Sequence, residues 1–353
     1  MEVHGLVCFI RYDLIFHLPQ SDTTVSPCAR MRVLRSMKAG AALGVAAALV
    51  EVRGDWQFFK ECFAFPGWRE LNGCCWRCRC TPGQVRHVGL DAPWRQPEQR
   101  MSHWDLMRVI QENGRTPSPL FSAPWVRSSI FKIDWLHAVD HGVAQVFLGN
   151  LFDTFGQRFP GANKVERFDA FWQHMRAWYQ ANNVEDRIDH LVPTLVRQNN
   201  QPPLLRASAA KVRALVPYGL ELARALGDND SPLDVAAKSA AFHLNQCYKA
   251  LSEQHSELLE ALPENSRKFA AQVVALERAT RDRKRWQVKP KLHLFLELCL
   301  EGSRPSLCWT YRDEDFGGSC ARMSRRRGGL LNPGATSECL LQRFAIKEPM
   351  VRL

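Results

Sequence analysis

The chain has 353 residues, 46% of them hydrophobic, with 11 Trp and 19 Phe, enough apolar material for one large or two ordinary packed domains and too much for a disordered chain. Its 47 Lys and Arg against 36 Asp and Glu give a formal net charge of +11 (47 − 36) and a pI near 9.2, which points to an acidic partner, nucleic acid first and an anionic membrane second. The excess is uneven, because residues 281–353 hold 15 basic and 8 acidic side chains and so carry +7 of the total.

Residues 1–30 differ in character from the rest of the chain and form a poorly defined N-terminal segment. MEVHGLVCFIRYDLIFHL is apolar, but Arg11 and Asp13 interrupt it and no small-residue cleavage site succeeds it, so a secreted protein is not expected. AGAALGVAAALV, residues 39–50, is too short to span a bilayer and reads as a buried helix running into a short strand, ALVEV. A soluble protein without a membrane partner is the expectation. Gly54-Asp55-Trp56 comes directly after that strand. A carboxylate at the end of a buried strand is a common place for a metal ligand, although an isolated Gly-Asp more often only ends a strand.

A turn-rich stretch, FPGWRELNGCCWRCRCTPGQ, encloses Cys74, Cys75, Cys78 and Cys80. Four of the 12 cysteines within seven residues, in a long chain, read as a metal-binding knuckle in a reducing compartment rather than a disulfide framework. The two-residue gap of Cys75-Trp-Arg-Cys78 lets both thiolates reach one tetrahedral Zn²⁺. One such pair is half a site. The candidates for the other half are His293 and Cys299 in KLHLFLELC, His137, or locally Cys74 and Cys80.

Residues 91–130 are rich in Pro and Trp, with one helix near SHWDLMRVIQEN. From about 131 to 286 the chain becomes strongly helical in pattern, and the segments beginning at Lys164, Ser208, Ser231 and Ser266 all show apolar residues at helical spacing. Ser231-Pro232 and Pro263-Glu264-Asn265-Ser266 are helix-start signals. In FKIDWLHAVDHGV, residues 131–143, helical spacing would put Asp134, His137 and His141 on one face. YRDEDFGG offers Asp313, Glu314 and Asp315, with Arg322, Arg325, Arg326 and Arg327 close behind. Acids for Mg²⁺ beside arginines for phosphates suit phosphodiester chemistry, against the plainer reading of an acidic helix start and a basic exposed turn.

The order of these pieces is more specific than any one of them: Gly-Asp, CxxC, DxxH, a long helical segment, a lone His, then Glu. It resembles the catalytic core of DDE-type DNA transposases with an RNase H-like fold, the CACTA-like branch, which is related in layout to the catalytic subunit of the V(D)J recombinase. The resemblance spans residues about 46–345. It implies an α+β, predominantly α-helical chain, in which a partial RNase H-like α/β core is interrupted by a large helical insertion and carries a zinc knuckle. The boundaries it implies are 31–90 for the partial core with the CxxC knuckle, 91–286 for the insertion, 287–345 for the returning core segment with the Glu-bearing helix and basic tail, and 346–353 for the C-terminal tail.

The resemblance assigns Asp55 as the second catalytic acid and Glu314 as the third, both holding Mg²⁺ or Mn²⁺. Cys75, Cys78 and His293 become structural zinc ligands, completed by His137 or Cys299. Asp134 and His137 match the DxxH signature, expected inside the insertion and away from the acids. Arg322, Arg325, Arg326 and Arg327 would contact DNA. The implied protein is nuclear or cytoplasmic and a homo-oligomer. Only 54 residues precede Asp55, too few for the strands that carry the family's first Asp, with Asp13 the sole acid in a strand-like setting. A truncated transposase, catalytically impaired, is therefore expected, with a non-enzymatic zinc-stabilised DNA-binding remnant as the alternative.

Overall fold

The computed structural model describes residues 51–67, 75–122, 126–280 and 284–312, together with 314, 315, 318 and 322. Among them the protein is predominantly helical, and no strand is present, only two isolated bridges, Val52 to Phe131 and Cys78 to Arg100. The N-terminal segment and residues 39–50, with all but the last two residues of the ALVEV strand, lie outside the described residues, as do Cys74, Asp313, Arg325, Arg326 and Arg327. No helix among the described residues is long and apolar enough to cross a membrane.

Helix starts obey the local chemistry. α1 (Trp56–Phe63) is capped by Asp55, whose Oδ1 accepts from the Phe58 N–H at 2.6 Å. α2 (His103–Glu112) begins at a Ser102/Asp105 capping box. The chain beyond it forms α3 (Gln145–Phe155), α4 (Lys164–Ala181), α5 (Ala209–Ala214), α6 (Val216–Leu226), α7 (Pro232–Lys249) and α8 (Leu262–Ala279). The segment from Ser208, read as one helix, is broken at Leu215, where Pro217 cannot donate to a preceding carbonyl. α7 packs on both α6 and α8, and Ser231 caps it as its sequence suggests.

α9 (Pro290–Cys299) runs through the interior: every residue from Leu292 to Cys299 is buried. A ten-residue helix apolar nearly all round can exist only as a core element. It packs on α8 and on the π-helix Leu136–Ala144, which takes up most of the FKIDWLHAVDHGV stretch. The π-helix is a wider coil than periodicity predicts, and His141 inside it departs from helical geometry with φ −85° and ψ 18°. Such insertions occur frequently at functional sites. N-terminal to it, an aromatic cluster of Phe59, Phe63, Phe65, Trp76 and Phe131 seats α1 against the core.

Candidate functional site

Two clusters of ionisable side chains meet at α9. In the first, Cys75, Cys78, His293 and Glu297 are all buried, and one ligand atom from each lies within 4.8 Å of every other. The loop carrying the cysteines is pinned by the Cys78–Arg100 bridge, with Arg79 N donating to Gln99 O at 2.9 Å and Met101 N to Arg77 O at 3.0 Å. His293 and Glu297 are four residues apart on α9 and so share a face. His293 Nε2 is 3.2 Å from Cys78 Sγ and 3.6 Å from Glu297 Oε1. The Trp94 ring meets the imidazole edge-on at 4.5 Å. Arg100 grips Glu297 with two bonds, of 2.7 and 2.8 Å.

The electrostatics fit a divalent cation. Burial drives the Cys75 thiol well above its ordinary range, and the Glu297 carboxylate adds to that. Contact with Cys75 lowers the Cys78 thiol, yet the Cys80 contact, burial and Glu297 push it upward overall. Burial raises Glu297, but Arg100, His293 and Cys78 together more than offset it, so the carboxylate stays ionised. Without a metal, two thiols are thus forced to keep their protons. With Zn²⁺ the charges become +2 from the metal, −2 from the thiolates, −1 from Glu297 and +1 from Arg100, which sum to zero. Ligand atoms around a tetrahedral zinc stand about 3.3–3.8 Å apart, inside the observed spread.

Cys75, Cys78 and His293 are therefore brought together as the sequence suggests. His137 and Cys299 are not in this group. Cys299 lies beside Cys247 and Ser266, and His137 belongs to the second cluster. Sequence reasoning missed Glu297. Its signal was the four-residue spacing from His293 on one helix.

The second cluster forms where two extended segments run in parallel. Val52 N donates to Ile130 O at 2.8 Å and Lys132 N to Val52 O at 2.9 Å. Three residues beyond each member of the bridge stands an aspartate, Asp55 on one segment and Asp134 on the other. Both line a cavity of about 220 Å³ with His137 and Lys291. Asp134 is buried and saturated: it accepts from Leu136 N at 3.3 Å, His137 N at 3.0 Å, His137 Nδ1 at 2.6 Å, and Thr310 N and Oγ1 at 2.9 Å each. The other imidazole nitrogen, Nε2, reaches Glu314 Oε1 at 3.3 Å. Glu314 is placed by a helical bond from its N–H to Thr310 O at 2.9 Å.

His137 thus bridges two carboxylates. Burial alone would lower its pKa, but Asp134, Glu314 and the more distant Asp55 raise it to about 9. The same contact holds Glu314 below the usual carboxylate range. The DxxH signature therefore lies beside Asp55 and Glu314, where the sequence had suggested it would be remote from them. Asp140 and His141 are also engaged. Asp140 is fully buried and accepts from the hydroxyls of Tyr248 and Tyr311, at 2.8 Å from the latter. His141 Nδ1 is 3.1 Å from Gln145 Nε2.

The clusters are joined through the middle of the CxxC pair. Trp76 Nε1 and an Arg77 guanidinium nitrogen both donate to Phe131 O, at 3.3 and 3.0 Å, and Arg77 also pairs with Glu301 at 2.7 Å beyond α9. No protein-family model, curated protein or solved structure matches the chain.

Proposed function

We propose that this chain is a transposase-like, DNA-binding protein, organised by a structural zinc ion at Cys75, Cys78, His293 and Glu297 and impaired in strand cleavage. The partial RNase H-like core, the nuclear location and the DNA-contacting role of Arg322, Arg325, Arg326 and Arg327 belong to this reading. It is supported by the ordered motifs, the basic excess in residues 281–353, and the grouping of Asp55, Asp134 and Glu314 about one histidine. Basic side chains there would neutralise phosphates, which gives salt-dependent binding.

The observation that carries the impairment is the bridging of Asp134 and Glu314 by His137. A two-metal centre needs free carboxylate oxygens, whereas Asp134 spends its acceptor capacity on five internal donors. Lys291, which feels the Asp55 charge, brings a second cation to the same cavity. Taking the proton from His137 at pH 7 costs about 3 kcal/mol, roughly a hundredfold in cation affinity. The arrangement does not fit a pair of Mg²⁺ ions.

The test is a gel-shift and strand-cleavage assay on duplex and nicked DNA with the full chain, in Mg²⁺ or Mn²⁺. Binding that weakens steeply with salt, without strand cutting, is the expected result. Strand cutting abolished by both Asp55→Ala and Glu314→Ala would show an intact catalytic centre instead, and absence of salt-sensitive binding would remove the DNA reading.

A further inference from the structure

The basic excess of residues 281–353 is concentrated at their start. RDRKRWQVKPK, residues 281–291, holds six basic side chains and one acid, +5 of the +7, whereas residues 292–353 hold the other nine and seven. Such a run is either a nucleic-acid patch or a solvated strap, and its surroundings decide between the two. Lys291 at its end turns inward, to His141 O and the cavity of Asp55. The earlier part meets a different partner, Asp153 on α3.

Asp153 is 4% exposed, yet three cations from separate parts of the chain converge on it. Lys164, the first residue of α4, stands 3.6 Å from its Oδ1. Arg197 reaches Oδ2 at 3.4 Å, and Arg285 pairs with the same oxygen. Three positive charges on one carboxylate leave a surplus of two. Lys284 is exposed beside Arg285 and has no acidic partner among the described residues, so the surplus grows to three. Glu166, the acid nearest Lys164 in sequence, is turned to the start of α4, where it accepts from Ala162 N and Asn163 Nδ2 at 2.7 Å each.

The carboxylate lies beneath and the cations above it: Lys164 is exposed, and Arg197 and Arg285 are half-buried. An ion pair made for stability alone needs one guanidinium, which takes both carboxylate oxygens in a fork. Further cations crowded onto the same group repel one another, and a second anion relieves that repulsion. Donors remain for it. Lys164 spends one of its three protons on Asp153, and Arg197 spends Nη1 there and Nε on Gln201 O at 3.1 Å, which leaves its Nη2.

We propose that Lys164, Arg197, Lys284 and Arg285 form a surface for the phosphate backbone of duplex DNA, with Asp153 beneath them holding the cationic heads in place. The neighbouring rings select backbone over base. Phe168, 5.7 Å below the Lys164 ammonium, and Trp286, next to Arg285, are both buried, so a single strand finds no ring there on which to stack. Phosphate contact is what the exposed atoms offer, and it carries no sequence information. The surface rests on the DNA-binding reading and assigns the contact to segments other than the one that bears Arg322.

Fluorescence anisotropy of the full chain with a short duplex and with its single strand, across a range of salt, tests the surface, beside co-sedimentation with phosphatidylserine vesicles. Each phosphate neutralised contributes about 0.9 to the fall of log affinity with log salt. The double variant Lys164→Gln, Lys284→Gln should therefore lower the duplex slope by about two and weaken binding by about tenfold or more near 0.1 M salt. Both lysines are exposed, so the fold is not at issue. Lys249→Gln with Lys268→Gln, also exposed, makes the same change in net charge and should do neither. Duplex binding that the first pair leaves untouched, or that the control pair lowers equally, would overturn the surface and leave the DNA reading standing. Absence of salt-dependent duplex binding by the wild type would remove both. A single strand bound more tightly than the duplex would overturn the surface, and so would vesicle binding lost in the first pair while duplex binding is kept, which makes the partner a membrane.

Discussion

Cys78 Sγ lies 3.2 Å from His293 Nε2 although the two residues are 215 positions apart in sequence. A metal shared by them is a cross-link that closes the helices from His103 to Ala279 into one loop. A cross-link of that span constrains the unfolded chain by about 5 kcal/mol in the chain-entropy picture. Cys78→Ser or His293→Ala should therefore lose bound zinc and lower the melting temperature strongly, and a strong chelator should do the same to the wild type. Metal analysis after gel filtration, beside thermal unfolding, checks this; a chain that melts identically with and without chelator would contradict it.

Zinc uptake should release two protons. Burial keeps the Cys75 and Cys78 thiols protonated in the metal-free protein, and the metal needs both as thiolates. Around neutral pH the apparent zinc affinity should rise by about two log units per pH unit. Titration in two buffers of different ionisation enthalpy counts the protons directly, and a count of zero would exclude thiolate ligation.

Glu297 should matter for charge as well as for ligation. Glu297→Gln removes the negative charge that balances both Arg100 and the metal, while keeping the shape of the side chain. Zinc affinity should fall by about 10-fold or more, since even a partner outside the ligand set is worth about 10- to 100-fold. Competition with a chromophoric chelator measures it. Unchanged affinity would assign the fourth position to another residue.

His137 makes stability fall as pH rises. In the unfolded chain its pKa is 6.5, and in the folded chain about 9, because of Asp134 and Glu314. Its contribution, roughly 3 kcal/mol, is complete below about pH 6.5 and is lost as pH rises through 9. His137→Gln should flatten this part of the stability profile in urea unfolding between pH 6 and 9.5, and a variant with the wild-type slope would show that the histidine is not held by the two carboxylates.

Local chemistry made much of this legible. Ser102, Ser231 and the Pro263 region signal helix starts that the structure uses, and CxxC with a distant His marks three of the four side chains that group where a metal could be held. Non-local pairing did not show. Nothing near Val52 indicates that it bridges Phe131 and so carries Asp55 alongside Asp134. The π-helix hides for a related reason, since its widened turn is held by packing on α9 rather than by residue spacing. Thr310 reveals its grip on Asp134 only once the chain has folded back over the 176 positions between them.

X-ray absorption at the zinc edge on the full chain tests the central claim most directly, because it counts the atoms around the metal. Ligation by Cys75, Cys78, His293 and Glu297 predicts two sulfurs at about 2.3 Å and two nitrogen or oxygen atoms at about 2.0–2.2 Å. Four sulfurs, which would mean that Cys74 and Cys80 close the site within the loop, or a purified protein that binds no zinc, would contradict it.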